Sequence, residues 1–252
     1  MIVLTIAALA LLLGLKIGRK DSNTDVVEQL TPSDTLTIKR VYNLIILDES
    51  GSMDGLQEVS VSGVNETLQT IRNAYEEYPQ QEQFVTFATF SGEPRREEKT
   101  CRVRRDLQSI TEIQNLDLSE FNPNGLTPLW DTMGRLLTEL ETKVSDGELV
   151  LVTIITDGCE NSSIKYDSEK IMQLVTRLDK KGWIFTYIGA NQDVEAVAAT
   201  ISITNVLNWE ASSVGTAEMS RKLSESRARH FSRISSNDYS AEEANSDFFD
   251  ED

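Results

Sequence analysis

Apolar positions along this chain follow two recurring patterns. Four short runs are almost continuously apolar or rich in β-formers: VYNLIILD (41–48), QFVTFATFS (83–91), ELVLVTIITD (148–157) and WIFTYIGA (183–190). Runs of that length without a polar face predict strands, the first and third buried on both sides. Between them apolar residues recur at helical spacing. Val64, Leu68, Ile71, Tyr75 and Tyr78 form one stripe, and Leu129, Met133, Leu136, Leu137, Leu140 and Val144 a second. Ile171, Leu174, Val175 and Leu178 form a third, stopped at Gly182. Residues 99–110 are more polar and predict an edge strand or hairpin. Residues 193–201 predict a short helix and 205–209 a short closing strand. Residues 214–233 predict a helix whose Arg221, Lys222, Arg227, Arg229 and Arg233 read as a solvated basic face. Strands alternating with helices imply right-handed crossovers, hence an α/β fold with a doubly wound, mostly parallel central sheet and helices on both faces.

The two ends of the chain differ from this pattern. Residues 1–17 hold an apolar run without acidic side chains, followed by Lys16, Arg19 and Lys20. As a helix the run spans about 22–26 Å, slightly short of the roughly 30 Å hydrocarbon core. A basic leading region and a small-x-small cleavage site are both missing, so an uncleaved membrane anchor is expected instead of a secretory signal. Positive charge after the run places the following domain on the cytoplasmic side; a soluble cytoplasmic or exported chain is the alternative. Residues 18–38 read as a polar linker and 39–232 as the folded domain. The stretch 233–252 reads as an acidic disordered tail, with Asp238, Glu242, Glu243, Asp247, Asp250, Glu251 and Asp252 and no Lys or Arg after position 235.

Charge and composition narrow the chemistry. Lys+Arg 24 against Asp+Glu 41 gives −17, which argues against a nucleic-acid binder relying on a broad basic surface. His230 is the only histidine, so multi-histidine zinc sites are excluded and any Ser-His-Asp chemistry depends on that one residue. Cys101 and Cys159 lack metal-ligand spacing and read as two reduced thiols.

In doubly wound sheets ligands bind beyond the carboxyl ends of the strands. Both fully apolar strands deliver an aspartate there: the first runs into Asp48-Glu49-Ser50-Gly51-Ser52-Met53, the second into Thr156-Asp157-Gly158. Between them, Gly125-Leu126-Thr127-Pro128-Leu129 precedes the strongest helical stripe. Each piece alone has an ordinary explanation: Asp48 as a cap, Ser50 and Ser52 as turn residues, Thr127-Pro128 as a helix start, Asp157-Gly158 as a strand-end turn. Together, Asp48, Ser50, Ser52, Thr127 and Asp157 make an oxygen-only set of two carboxylates and three hydroxyls. Hard cations such as Mg²⁺ choose such ligands, and so few charges would leave the metal electrophilic toward an incoming carboxylate.

This D-x-S-x-S … T … D arrangement resembles the metal-ion-dependent adhesion site of the von Willebrand factor type A family. The resemblance covers roughly residues 39–232 and is nearest to compact bacterial and phage-type members, with DESGSM at 48–53, GLTPL at 125–129 and TDGCEN at 156–161. It implies one antiparallel edge strand in the sheet and a divalent cation at its top, Mg²⁺ with Mn²⁺ or Ca²⁺ as alternatives. Ser50, Ser52 and Thr127 would ligate through hydroxyls, Asp48 and Asp157 directly or through water. The implied function is non-catalytic: capture of an Asp or Glu from a protein partner. An adaptor subunit of an AAA+ ATPase or assembly complex is the alternative. A Mg²⁺-dependent phosphohydrolase is disfavoured because Ser50 stands where such enzymes place a second carboxylate. A sharper expectation for the tail is that Asp250, Glu251 or Asp252 folds back onto the metal, with Phe248 and Phe249 giving apolar purchase. Partner identity and oligomeric state are not encoded in these patterns.

Overall fold

The computed structural model describes residues 39–92, 101–190, 193–210, 212–236 and 248–249; the proposed anchor at 1–17 and linker at 18–38 lie outside them. Six strands form one sheet: β1 (Lys39–Asp48), β2 (Gln81–Phe90), β3 (Cys101–Ser109), β4 (Leu149–Thr156), β5 (Trp183–Gly189) and β6 (Asn205–Asn208). Five helices accompany them: α1 (Gln57–Glu77), α2 (Leu129–Glu141), α3 (Ser168–Asp179), α4 (Val194–Ala199) and α5 (Ser213–Ser235). The strand order is β3-β2-β1-β4-β5-β6. Every pairing is parallel except β2 with β3, so the expected antiparallel strand is present and lies at an edge. No helix among the described residues is long and apolar enough to cross a membrane.

Strand alternation divides the core in two. From β1, Val41, Ile45 and Leu47 face a cluster shared with Val64, Leu68 and Ile71 of α1 and with Leu223 and Phe231 of α5. Tyr42, Leu44 and Ile46 face the other cluster, with Met133 and Leu137 of α2 and Ile171 and Val175 of α3. All eight residues of β4 are buried, as a central parallel strand covered on both faces requires. Trp130 and Trp183 are buried as well, in the second cluster. β1 and β4 are neighbours, and the chain leaves them toward opposite edges of the sheet. Their carboxyl ends therefore flank the crevice where the winding reverses.

Helix α5 departs from its expected solvated basic face. Arg221 is exposed and paired with Glu225, but Arg227 is wholly buried. Its guanidinium donates to Asn43 Oδ1 at 2.9 Å and to Thr153 Oγ1 at 2.8 Å, and burial lowers its pKa to about 10. Asn43 in turn donates to Gln83 Oε1 at 3.0 Å, while Gln81 donates to the Phe231 carbonyl at 2.8 Å. Asn43 and Thr153 are polar interruptions in strands that are otherwise apolar, both on the α5 side of the sheet. The helix answers them with a long polar side chain, because a buried donor or acceptor left unmatched costs more than the bond gains.

His230, one turn further along α5, is also buried, with ring centroids 5.9 Å from Phe231 and 6.1 Å from Phe248. Phe248 is itself 4% exposed, so part of the stretch expected to be a disordered tail packs into the core. It does so near Phe231, whose carbonyl meets the first residue of β2, at the end of the sheet opposite Asp48. Phe248 therefore gives no purchase for a carboxylate at the aspartate-bearing end; Asp250, Glu251 and Asp252 lie outside the described residues.

The buried imidazole generates a pH dependence. Burial, helped by the charges of Arg227 and Arg233, pushes the His230 pKa from 6.5 down to about 3. The unfolded chain takes up that proton near the upper value and the folded one only near the lower. Between them the unfolded state binds more protons, so stability falls as pH drops, by on the order of 3 kcal/mol at about pH 4. Asp48, with a pKa raised to about 6, acts in the opposite sense over an overlapping window, so the informative comparison is between variants. Relative to the unmodified chain, His230→Gln should gain about 3 kcal/mol of urea-unfolding free energy between about pH 6.5 and pH 4; a difference that does not change with pH would mean that folding imposes no penalty on the imidazolium.

Candidate functional site

Four chain segments meet beyond the carboxyl ends of β1, β2 and β4, and their backbones are bonded to one another. Glu49 N–H donates to the Phe90 carbonyl at 2.8 Å and the Glu49 carbonyl accepts from Asn124 N–H at 2.9 Å. Gly51 N–H donates to Gly125 O at 3.0 Å, and Gly92 and Leu126 exchange both bonds, at 2.7 and 2.8 Å. Asn161 N–H donates to Thr127 O at 3.1 Å. Gly125 has φ +79°, and a Cβ there would sit 2.3 Å from the Gly92 carbonyl oxygen, so this close approach admits only glycine.

With the backbone groups matched among themselves, the side-chain oxygens are free to converge. Asp48 Oδ1 accepts from Ser50 N–H at 2.7 Å, which folds the loop back over the end of β1. Ser50 Oγ and Ser52 Oγ lie 3.1 Å apart, and Ser52 Oγ donates to Asp157 Oδ1 at 2.7 Å. The position that a Cβ on Gly158 would take lies 3.0 Å from Thr127 Oγ1, 3.1 Å from Ser52 Oγ and 3.3 Å from Asp48 Oδ2. All five residues singled out from the sequence are thus brought together at one pole. Their exposure is graded: Asp48, Ser50 and Thr127 are buried, Asp157 is half-buried and Ser52 is exposed at the rim.

The electrostatics of this pole are one-sided. Burial raises the Asp48 carboxyl to about 6, against the hydrogen bonds from Thr156 and Ser50 that favour its charged form. Burial also raises Asp157, opposed by the bond from Ser52. Among the described residues neither carboxylate has an ion-pair partner, nor does any group of three His, Cys, Asp or Glu side chains form a metal cluster. The donor set is two carboxylates and three hydroxyls, which suits a hard cation and no soft one.

Several supporting residues escaped the sequence reading. Thr156 donates its hydroxyl to Asp48 Oδ2 at 2.5 Å, fixing the carboxylate from the neighbouring strand. Glu49 is fully buried; it accepts from Asn122 N–H at 2.8 Å and faces Arg104 at 3.3 Å and Arg102 at 3.4 Å on β3. Thr127 does not cap α2: Pro128 is the N-cap residue, without a side-chain bond, and the Glu160 carboxylate accepts from Trp130 N–H at 2.8 Å in its place. That substitution leaves the Thr127 hydroxyl for the cradle. A buried charge directly after a strand-end aspartate was the one sequence signal for Glu49, and only its position marks it.

The von Willebrand factor type A domain model matches residues 44–236. Solved structures share the fold at low identity. The pilus adhesin SpaC from Lactobacillus rhamnosus GG is 14% identical at TM-score 0.57, covering 77% of this chain and 30% of that one. Proximal thread matrix protein 1 from the mussel byssus is 14% identical at TM-score 0.54, with 75% and 46% covered. A von Willebrand factor type A protein from Catenulispora acidiphila is 16% identical at TM-score 0.50, with 74% and 42% covered. The chain thus spans less than half the length of each of these three. No curated protein matches it significantly. With the family model running from the middle of β1 to the end of α5, the chain belongs to the von Willebrand factor type A domain family.

Proposed function

We propose that the domain is a divalent-cation-dependent protein-binding module. Ser50, Ser52 and Thr127 would hold the cation through hydroxyls, and Asp48 and Asp157 directly or through water. The observation that carries this reading is the convergence of oxygens from three segments: Ser52 Oγ lies 3.1 Å from Ser50 Oγ and 2.7 Å from Asp157 Oδ1, and Thr127 Oγ1, Ser52 Oγ and Asp48 Oδ2 all border the open face of Gly158. Buried Asp48 and half-buried Asp157, without a cationic partner among the described residues, supply the missing half of the argument, since each is more stable beside positive charge. Mg²⁺ is the expected ion, with Mn²⁺ or Ca²⁺ as alternatives; once bound it would serve as an electrostatic anchor for a partner's Asp or Glu.

The chain's own residues define the rest. Asp48 and Thr127 form a floor that solvent does not reach, and Ser52 and Asp157 form the rim that a partner meets. A single metal–carboxylate contact cannot select a partner, so discrimination falls to the surface around that rim. His230 is buried against Phe231 and Phe248, leaving the serine hydroxyls without an imidazole base and favouring binding over nucleophilic chemistry. Residues 1–17, with Lys16, Arg19 and Lys20 behind the apolar run, support tethering to a membrane with the domain on the cytoplasmic side.

Titration calorimetry of the full chain should show one Mg²⁺ site that Asp48→Asn and Asp157→Ala abolish while circular dichroism is unchanged. Protein captured on the immobilised chain in Mg²⁺ should be released by EDTA; capture undiminished in EDTA would overturn the proposal. Because Asp48 must lose its proton to serve as a charged ligand, Mg²⁺ affinity should fall as pH drops below about 6, approaching tenfold per unit. A flat profile from pH 7.5 to 5 would remove Asp48 from the ligand set. Gly158→Ala should abolish Mg²⁺ binding with little change in melting temperature, since its methyl group would press on Thr127 Oγ1, Ser52 Oγ and Asp48 Oδ2 at 3.0–3.3 Å, which a shift of a few tenths of an ångström relieves.

A further inference from the structure

The segment that follows Asp157 is fastened to the start of α2 by two carboxylates. Glu160 Oε1 accepts from the N–H groups of Ser162 and Ser163, both at 2.7 Å. Its Oε2 accepts from Trp130 N–H at 2.8 Å and Ser163 Oγ at 2.6 Å. Asp131, in the first turn of α2, reaches back in the other direction. Its Oδ1 accepts from Lys165 and Tyr166 N–H at 2.8 Å, and its Oδ2 from Ile164 N–H at 2.9 Å. Its own N–H donates to Ser163 Oγ at 2.9 Å. Five consecutive backbone N–H groups, from Ser162 to Tyr166, thus end on these two side chains. Neither carboxylate has an ion-pair partner among the described residues; their charge is committed to orienting backbone.

Asn161 completes the fastening: Thr127 N–H donates to Asn161 Oδ1 at 2.8 Å, and the Thr127 carbonyl accepts from Asn161 N–H at 3.1 Å. Thr127 enters the cradle from one side of this clamp and Asp157 from the other. Any slack in the clamp therefore appears as a change in their separation. Mg²⁺ requires near-octahedral ligands at about 2.0–2.1 Å, whereas Ca²⁺ accepts six to eight oxygens at about 2.3–2.6 Å in flexible geometry. A rigid cradle discriminates between the two; a loose one does not.

We propose that Glu160, seconded by Asp131, is a positioning residue that sets cation selectivity, holding Thr127 against Asp157 so that the cradle favours Mg²⁺ over Ca²⁺. The inference rests on the cation-binding reading above and adds to it a residue that touches no ligand.

The test is calorimetric titration of the full chain with MgCl₂ and, separately, CaCl₂, for the unmodified protein, Glu160→Gln, Asp131→Asn and Glu141→Gln. Glu160→Gln should lower Mg²⁺ affinity by about 10–100-fold, the usual effect of losing a partner that orients ligands. Ca²⁺ affinity should move by less than about threefold, because its coordination tolerates displaced ligands. Asp131→Asn reaches the same segment through different bonds and should shift the Mg²⁺/Ca²⁺ ratio in the same direction, which keeps the test decisive if Glu160→Gln fails to fold. Glu141→Gln removes the carboxylate at the far end of α2 that pairs with Arg177 and Lys181; it should lower the melting temperature and leave the ratio alone. Equal losses for both cations in folded Glu160→Gln and Asp131→Asn, or none, would overturn the inference. An unmodified chain that binds neither cation would instead refute the cation-binding reading itself.

Discussion

The pole at the carboxyl ends of β1 and β4 is shaped by one requirement: its backbone must be satisfied from within. Loops that come this close together bury their peptide groups, and an unpaired buried N–H or carbonyl is costly. Here the segments at 49–51, 90–92, 122–126 and 161 exchange hydrogen bonds with one another. Where the backbone runs short of acceptors, Glu49, Asp131 and Glu160 supply them. The consequence is that most of the side-chain oxygens of Asp48, Ser50, Ser52, Thr127 and Asp157 are spared from holding the loops. Asp48 accepts from the Ser50 N–H and the Thr156 hydroxyl, and Ser50, Ser52 and Asp157 meet one another, so the set converges. Gly125 and Gly158 belong to the same arrangement, the first by permitting backbone to meet backbone and the second by leaving a gap among the oxygens.

Much of this was legible in the sequence because it rests on local signals. Continuous apolar runs such as 41–48 and 148–157 can only be central strands in a chain of this composition, and their terminal aspartates fix which edge carries the chemistry. The five oxygen-bearing residues of the proposed site were readable for the same reason: each sits at or just beyond a strand end or at a helix start, where position along the chain translates directly into position on the sheet. The residues that orient them were harder to see. Glu160 and Asp131 act through backbone N–H groups, and any residue type presents those, so no side-chain pattern announces which carboxylate will receive them. TDGCEN contained Glu160 and Asn161 without revealing that one replaces a helix cap and the other brackets Thr127 on both sides.

The C-terminal helix shows where pattern reading misleads. A helix carrying five basic residues between 221 and 233 reads as solvent-facing on charge alone. Its inner face is mostly apolar but carries one arginine, because Asn43 and Thr153 interrupt β1 and β4 on that side, two positions apart in the β1–β4 register. Arg227 spans that diagonal, a reach few other side chains have. The clue lay in the strands and not in the helix, since a polar residue in the middle of a doubly buried strand demands a partner from whatever covers it. Phe248 is a related case. An aromatic pair embedded in an acidic stretch looked like purchase for a carboxylate at the metal, but the apolar surface open to it lies beside His230 and Phe231, at the other end of the sheet.

The energetic cost of the pole follows from Asp48. A carboxyl raised from 3.8 to about 6 carries a penalty on its charged form of about 3 kcal/mol, a sizeable fraction of the 5–15 kcal/mol that typically separates folded from unfolded domains. Thr156 and the Ser50 N–H lower that penalty without removing it, and Asp157 adds to it. A fold selected for stability alone would place Asn at position 48, or bring one of the nearby arginines across; Arg102 and Arg104 are both present on β3 and both are directed to Glu49 instead. Keeping Asp48 without a cationic side chain leaves a deficit that protonation relieves below about pH 6 and an external positive charge relieves above it. On the proposed reading, that relief is where cation affinity comes from. On that same proposal, a divalent ion held by so few charged groups would retain attraction for one more, and the deficit built into the fold would become the means of holding an acidic partner.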